Sequence, residues 1–306
     1  MTSSSFALPA RAPSLIQRAI VERYVPVGTM VLALIAIWYV AAVAMNWSLV
    51  KDAFEREETP YTVSDVLAGT MNAERPLLPA PHQVVNAFVD GVFGYPPMAP
   101  RSLIYHSLVT LWATALGFAL GALFGIALAL LIVHSRVLER SLLPWIICSQ
   151  MVPIVALAPI FIVVLGAIGL HGLLPKSIIS AYLCFFPIAI GMVKGFTSPD
   201  PLQIELMRTW SATPRQVLWK LRWPASVPYL FASLKVAITI SLIGAIVAEL
   251  PTGAEAGIGA RLLAGSYYGQ TVQIWAALVA AALLASGLIG LVGLVERGVN
   301  SRMGAH

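Results

Sequence analysis

Residues 200–228 read DPLQIELMRTWSATPRQVLWKLRWPASVP, from Asp200 to Pro228. Two apolar runs flank the stretch, roughly Ser177–Phe196 before it and Tyr229–Leu250 after it. It carries four basic and two acidic side chains. A merely solvated loop leans toward Gly, Ser and Asn. Here Leu206, Trp210, Val217, Leu218, Leu221 and Trp223 are interspersed among the charges in a helix-like pattern. The break at Ser211–Pro214 predicts two short helices joined by a turn. Pro214 then sits in the first turn of the second helix, where its missing N–H costs little. Pro224 and Pro228 are expected to end the segment before the next apolar run. On pattern alone the segment fits two roles. It is a helix that enters a partner's groove and passes on rigid-body motion, or an interfacial helix resting on headgroups.

The rest of the chain places this segment at a membrane. Of 306 residues, 58% are hydrophobic and 11% charged, with a mean hydropathy of +0.83. Soluble domains carry roughly a quarter charged residues. At less than half that share a single core could not be covered by a polar surface, which argues against a soluble enzyme, a disordered chain and a nucleic-acid binder. Six apolar runs near spanning length follow one another: Val27–Met45, Leu103–Val133, Leu142–Leu165, Ser177–Phe196, Tyr229–Leu250 and Ile274–Glu296. They predict an all-α integral membrane protein with six transmembrane helices. Leu103–Val133 is too long for one simple span, so it is expected to tilt or to extend past the bilayer. Ala42-Val43-Ala44 resembles a signal-peptide cleavage site, but the polar lead and the length of the first run suit an uncleaved anchor better.

Lysine and arginine set the orientation. With the N-terminus inside, twelve of them fall on the cytoplasmic side, including Arg136, Arg140, Lys194, Arg208, Arg215, Lys220 and Arg222, and six on the other. The outer side also carries eight acids, among them Asp52, Glu55 and Glu255. Both termini are therefore expected inside. The organisation that follows is a cytoplasmic tail at 1–26, a first span at 27–45, an outer segment at 46–101, a five-helix core at 102–298 with its inner loop at 197–228, and a cytoplasmic tail at 299–306. The outer segment reads as acidic and irregular, except for an apolar-periodic stretch from Val84 to Phe93 that suggests a short interfacial helix.

Several chemistries lack their residues. No GxxxxGK[ST] loop, HExxH or GxSxG is present. Gly257-Ile258-Gly259 starts a GxGxxG-like run but fails at Leu262, and reads as a flexible turn. Cys148 and Cys184 lie in apolar runs and read as small buried hydrophobes.

The 200–228 stretch resembles the EAA loop of ABC-importer permeases, whose pattern is E-A-A-x3-G-x9-I-x-L-P. Glu205 falls on the Glu, Ser211 on the Gly, Leu221 on the Ile and Pro224 on the Pro, with the spacing preserved. Leu206 and Met207 stand at the two alanines and Trp223 at the leucine. The resemblance runs from about Leu77 to Gly298 and is to the nitrate/sulfonate/taurine branch. LPAP at 78–81, MVPIVALAPIFIVVLGAIG at 151–169 and PTGAEAGIGARLLAGSYYGQ at 251–270 are similar to that branch's entry, third span and last outer loop.

This resemblance implies a type I ABC-importer permease fold in a bacterial inner membrane. It implies a second permease copy, a cytoplasmic ATPase dimer and an outer substrate-binding protein as partners. ATP and Mg would be used by the ATPase, with no cofactor, metal or catalysis in this chain. The substrate implied is a small anion such as a sulfonate, taurine or nitrate, with a thiamine-type pyrimidine or other small heterocycle as the alternative. Glu205, Arg208, Thr209, Ser211, Ala212, Arg215, Leu221 and Pro224 would form the ATPase-coupling element. Arg208 and Arg215 also fit the positive-inside bias, and Glu205 an ordinary helix surface.

Gln150, Met151, Pro153, Pro159 and Glu249 are the candidates for the translocation pathway. Prolines free carbonyls that a cavity-lining helix can use, and a packing kink is the other reading. A charge at the depth of Glu249 is costly and often functional; a backbone cap or Arg261 would equally hold it. Lys235 reads as snorkelling to the inner surface. Gly117, Gly121 and Gly125, spaced by four, read as a close helix-contact face, and Tyr267 and Tyr268 as an interfacial aromatic belt. Two other functions remain. A lone secondary transporter would place ionisable residues near the midplane; the spans hold only Lys235 and Glu249, both nearer the ends, which counts against it. A scaffold that anchors cytoplasmic partners would need the same inner loop but not the proline-interrupted third span.

Overall fold

The computed structural model describes residues 24–251 and 256–303, and the described residues are helical with no strand. Arg11, Arg18, Arg23 and Glu255, which entered the orientation argument, lie outside them. The chain divides into two compact units at Val84/Val85.

The first unit holds α1 (Val25–Arg56), α2 (Val63–Asn72) and the start of α3 (Pro81–Phe93). Helix α1 runs eleven residues past the apolar stretch that predicts it, and α2 fills part of an outer segment expected to be irregular. Helix α2 forms because Thr62 and Asp65 make a reciprocal capping box: the Asp65 N–H reaches Thr62 Oγ1 at 3.4 Å and the Thr62 N–H reaches Asp65 Oδ2 at 2.8 Å. The Thr62 hydroxyl also donates to Asp65 Oδ2 at 2.6 Å, and this bond above all, followed by the one from the Thr62 N–H, holds the Asp65 carboxyl below the usual aspartate range. The chain then returns to α1 at Asn46, whose side chain is fully buried. Asn46 Oδ1 accepts from the Leu77 N–H at 2.7 Å and Nδ2 donates to the Leu78 carbonyl at 2.8 Å. One amide therefore satisfies the Leu77 and Leu78 backbone, which has no helix to do so, while the Pro79 carbonyl accepts from Trp38 and the Ala80 N–H donates to Gln83.

The second unit begins inside α3. Ala87, Phe88 and Val92 on the C-terminal half of α3 pack around Leu103, Ile258, Ala276 and Ala277. The remaining elements are α4 (Leu103–His134), α5 (Arg136–Ser149), α6 (Ile154–Ala167), α7 (Leu173–Phe196), α8 (Pro201–Thr209), α9 (Pro214–Val217), a π turn (Leu218–Arg222), α10 (Trp223–Ala248), α11 (Ile258–Tyr267) and α12 (Thr271–Met303).

Helices α4, α7 and α10 form the centre. Ala129, Cys184, Ile188, Met192, Phe196 and Ala237 are buried between them. Helices α4 and α7 approach closely because α4 presents Gly117, Gly121 and Gly125. A Cβ on Gly117 would stand 2.5 Å from the Ser180 Cβ, and one on Gly121 would fall on the Cys184 sulfur. Small hydroxyls tie the three helices. Ser180 donates to the Ser241 carbonyl at 2.7 Å and Ser241 donates to the Thr114 carbonyl at 3.0 Å. In hydrocarbon such bonds replace the water that would otherwise satisfy these groups.

Among the described residues, five helical segments are long and apolar enough to cross a membrane: α1, α4, α7, the continuous run Pro214–Ala248, and α12. The third predicted run does not form one straight helix. Helices α5 and α6 meet at 96°, and count as a sixth candidate span only when taken together. The bend sits at Gln150–Pro153. Pro153 has extended backbone (ψ 116°) and disfavours helix at Val152, whereas Pro159 stays inside α6. Cys148, expected to be buried, is exposed on α5 beside Trp145 and Ile147, which are also exposed among the described residues.

Candidate functional site: an elbow and a polar lock

The segment Asp200–Trp223 folds as an elbow. Asp200 caps α8 by accepting from the Leu202 N–H at 2.8 Å, with Pro201 in the first turn. Helix α8 ends in a Schellman turn. The Ser211 N–H donates to the Arg208 carbonyl at 2.9 Å and the Ala212 N–H to the Met207 carbonyl at 3.0 Å. Ser211 occupies the left-handed position with φ +51°. This is where the EAA pattern carries glycine, and its geometry supplies the reason. Thr213 then opens α9 through a capping box with Gln216, donating its N–H to Gln216 Oε1 at 2.8 Å.

Glu205, Arg208, Thr209, Ser211, Arg215 and Pro224 are exposed, and Ala212 and Leu221 half-buried. Six of these eight stand in one contiguous stretch around the turn, and Leu221 and Pro224 follow on the second arm. Pro224 does not end the segment as expected. Helix α9 passes through the π turn directly into α10, with the Trp223 N–H bonded to the Leu218 carbonyl, five residues back. A π turn is the local solution to a proline inside a helix. It widens one turn where Pro224 offers no N–H and its ring would press on the Lys220 carbonyl. Leu218 is buried against Phe196 and Met192, which anchors the elbow to the core.

At the other end of α10, Glu249 is fully buried. Its carboxylate accepts from the Thr110 hydroxyl at 2.9 Å and the Gly259 N–H at 2.9 Å, and lies 3.6 Å from Lys176 Nζ. Lys176 also donates to the Ala256 carbonyl at 2.9 Å. Thr110 Oγ1 accepts from the Ile258 N–H at 2.9 Å, and His106 Nδ1 accepts from the Gly257 N–H at 3.0 Å. That second bond fixes the His106 tautomer, because Nε2 must then carry the hydrogen it shares with the Pro100 carbonyl at 2.9 Å. Gly257-Ile258-Gly259 is thus no flexible turn. Its three successive N–H groups, at the start of α11, hold side chains from α4 and α10, and the helix terminus favours the carboxylate. Gly257 has φ +130°, and a Cβ there would collide with the Glu249 carboxyl.

Beside this lock lies a cavity of about 700 Å³. Tyr105, Val109 and Trp112 of α4, Ile162 of α6, His171, and Lys176 of α7 line it with Ala248, Pro251 and Ala256. The five residues expected to share a pathway are not brought together. Gln150, Met151 and Pro153 sit at the α5/α6 bend, Pro159 is exposed within α6, and Glu249 faces Thr110 and Lys176, not the cavity or Arg261. Arg261 instead donates to Gln273 Oε1 at 3.1 Å. Lys235 pairs with Glu296 of α12. His106, Thr110 and Lys176 were missed in the sequence. The signal for the first two was a polar pair four residues apart inside an apolar run.

The family model described as binding-protein-dependent transport system inner membrane component matches residues 121–304. The formylaminopyrimidine transport permease protein ThiX of Halalkalibacterium halodurans is 33% identical over 183 residues, 60% of this chain and 68% of that protein. The riboflavin transport system permease protein RibX of Chloroflexus aurantiacus is 32% identical over 221 residues, 72% of this chain and 78% of that one. The bicarbonate transport system permease protein CmpB of Synechocystis is 26% identical over 201 residues, 65% and 67% of the two chains. The chain is a multi-pass, all-helical transport permease, and it belongs to the family of binding-protein-dependent transport system inner membrane components.

Proposed function

We propose that this chain is the membrane-spanning subunit of an ATP-driven importer and that a cytoplasmic ATPase docks on the elbow at 200–223. The observation that carries this reading is mechanical. The elbow presents Glu205, Arg208 and Arg215 to solvent, yet its second arm is one continuous helix with α10. A displacement of the elbow reaches the far end of α10 without crossing a loop. The ATPase, holding ATP and Mg, supplies the chemistry, and this chain converts its closure into alternating access. Both termini then lie in the cytoplasm, and two copies of the chain enclose the pathway in a bacterial inner membrane. A substrate-binding protein delivers from the outside.

For the substrate, a small nitrogen heterocycle comes ahead of the small anion that the sequence placed first. The relatives at 33% and 32% identity carry the names of formylaminopyrimidine and riboflavin permeases, while the bicarbonate permease stands at 26%. The cavity supports the same order, since Tyr105 and Trp112 offer aromatic faces and its lysine is already paired.

The test is co-purification of the tagged chain with its ATPase, comparing wild type with Glu205→Ala and with deletion of Ser211–Pro214. ATPase retention that is lost in both variants, while they still elute as folded permease, supports docking at the elbow. Absence of any ATPase on well-folded wild type overturns it and favours a lone secondary transporter. In reconstituted vesicles, competition of uptake by an aminopyrimidine but not by taurine, nitrate or bicarbonate supports the heterocycle.

A further inference from the structure

Lys176 lines the cavity, and a lone ammonium beside aromatic walls would make it an anion site. Its surroundings cancel that charge. Glu249 Oε1 lies 3.6 Å from Nζ and the Ala256 carbonyl accepts from it at 2.9 Å. The Glu249 carboxylate is itself fully buried and fixed by Thr110 and Gly259, so it cannot swing away to solvent. With both groups ionised the pair is net neutral, and Glu249 cannot re-pair without giving up its bonds to Thr110 and Gly259. What the cavity then offers a ligand is the rings of Tyr105, Trp112 and His171, with Val109 and Ile162 as apolar wall. Its volume of about 700 Å³ lies within the usual range for small-molecule sites. Flat aromatic ligands stack on such rings without needing a charge.

We propose that this cavity is a binding site for an uncharged aromatic heterocycle, and that Glu249 sets its charge selectivity by keeping the Lys176 ammonium paired. The site rests on the heterocycle reading above, whereas the role of Glu249 stands on geometry alone. Glu249 is a positioning and selectivity residue; it touches Lys176, not the ligand.

Trp112 provides the readout, being 66% exposed within the chain and part of the lining. Its fluorescence is isolated as the difference between the full-length protein in detergent and its Trp112→Phe counterpart. Quenching by iodide, an anion, is compared with quenching by acrylamide, which is neutral. Glu249→Gln keeps a side-chain oxygen to accept from Gly259 or Thr110 but removes the countercharge. At low ionic strength the iodide-to-acrylamide ratio is expected to rise about tenfold, the low end of what an unscreened charge in a cleft does to local counter-ion concentration. In Glu249→Gln/Lys176→Met the ratio returns to the wild-type value. A ratio unchanged in Glu249→Gln overturns the role of Glu249. So does a rise that persists in the double variant, because it would come from an opened fold.

The ligand class is tested separately in wild type with 4-aminopyrimidine at alkaline pH, where it is neutral. Saturable protection of Trp112 from acrylamide supports the site, and no protection overturns it. Uptake of taurine in preference to a pyrimidine would remove the heterocycle reading while leaving the quenching result for Glu249 intact.

Discussion

Substituting Gly257 by alanine tests the polar lock at its tightest point. Two separate costs follow from its geometry. The backbone is at φ +130° and ψ 164°, a region that essentially only glycine adopts, and a side chain there costs about 1–3 kcal/mol. The new methyl would also collide with the Glu249 carboxyl. The carboxyl is fully buried and cannot move outward, so it must give up its bonds to Thr110 and Gly259. Hydrogen bonds to a charged group contribute roughly 1.5–3 kcal/mol each. Losing both along with the backbone strain gives about 4–9 kcal/mol, at the upper end of what single substitutions do.

Gly269 is the control. It also has positive φ, +64°, but a Cβ there meets nothing within 4 Å. Gly269→Ala should therefore cost only the conformational term, about 1–2 kcal/mol. Thermal unfolding of the detergent-solubilised chain, followed by tryptophan fluorescence, reads both. At roughly 2–4 °C per kcal/mol, Gly269→Ala lowers the midpoint by a few degrees and Gly257→Ala by more than about 8 °C. A double substitution sharpens the test. In a Glu249→Ala background the methyl has no carboxyl to strike, so Gly257→Ala should there cost only its backbone strain, about 1–3 kcal/mol. Equal losses for Gly257→Ala and Gly269→Ala in the wild-type background would refute the lock.

Other parts of the structure make equally direct demands. Ser211→Gly relieves the φ +51° turn and should stabilise the chain by about 0.5–1 kcal/mol with ATPase retention intact, whereas Ser211→Val should reduce retention, because a β-branched residue resists that conformation. Retention by Ser211→Val equal to wild type would show that the turn is dispensable. Asn46→Leu strands the Leu77 N–H and the Leu78 carbonyl, at a cost of about 2–5 kcal/mol; limited proteolysis should then cut within 57–80, and resistance equal to wild type would count against the pin. The lowered pKa of Asp65 means that its contribution to α2 is complete above the ordinary aspartate value and lost as pH falls through the folded one. Asp65→Asn should therefore speed hydrogen exchange at 63–67 at neutral pH, with no difference from wild type once the pH lies below both values.

The spans were legible in the sequence because hydrocarbon imposes a length, and a run of twenty apolar residues has few other uses. The elbow was legible because Pro214 and the polar Ser211–Thr213 punctuate a helical pattern. What composition could not show was direction. Leu142–Leu165 holds Pro144, Pro153 and Pro159, yet only Pro153 coincides with the 96° bend. The other two sit inside α5 and α6, where the freed carbonyls are tolerated. Nothing local separates these three prolines; the choice belongs to what α4 and α7 leave room for. Pro224 misled for a related reason, since a one-residue π widening turns a stop signal into a continuous helix.

Glu249 shows the same division more sharply. Its cost at that depth was visible and marked it as a residue with a purpose. Its partner in the lock was not, because Thr110 stands 139 residues away in the chain, and the glycines that cradle it read as a loose turn. A GxG run and a buried carboxylate eight residues earlier are each ambiguous; together they specify an anion held by a helix start. The lock therefore carries information in both directions. A carboxylate at the end of α10 fixes where α11 begins, and α11 fixes where that carboxylate points. The lock thus ties the ends of α4, α7, α10 and α11 together through side-chain bonds, at the end of α10 opposite the elbow.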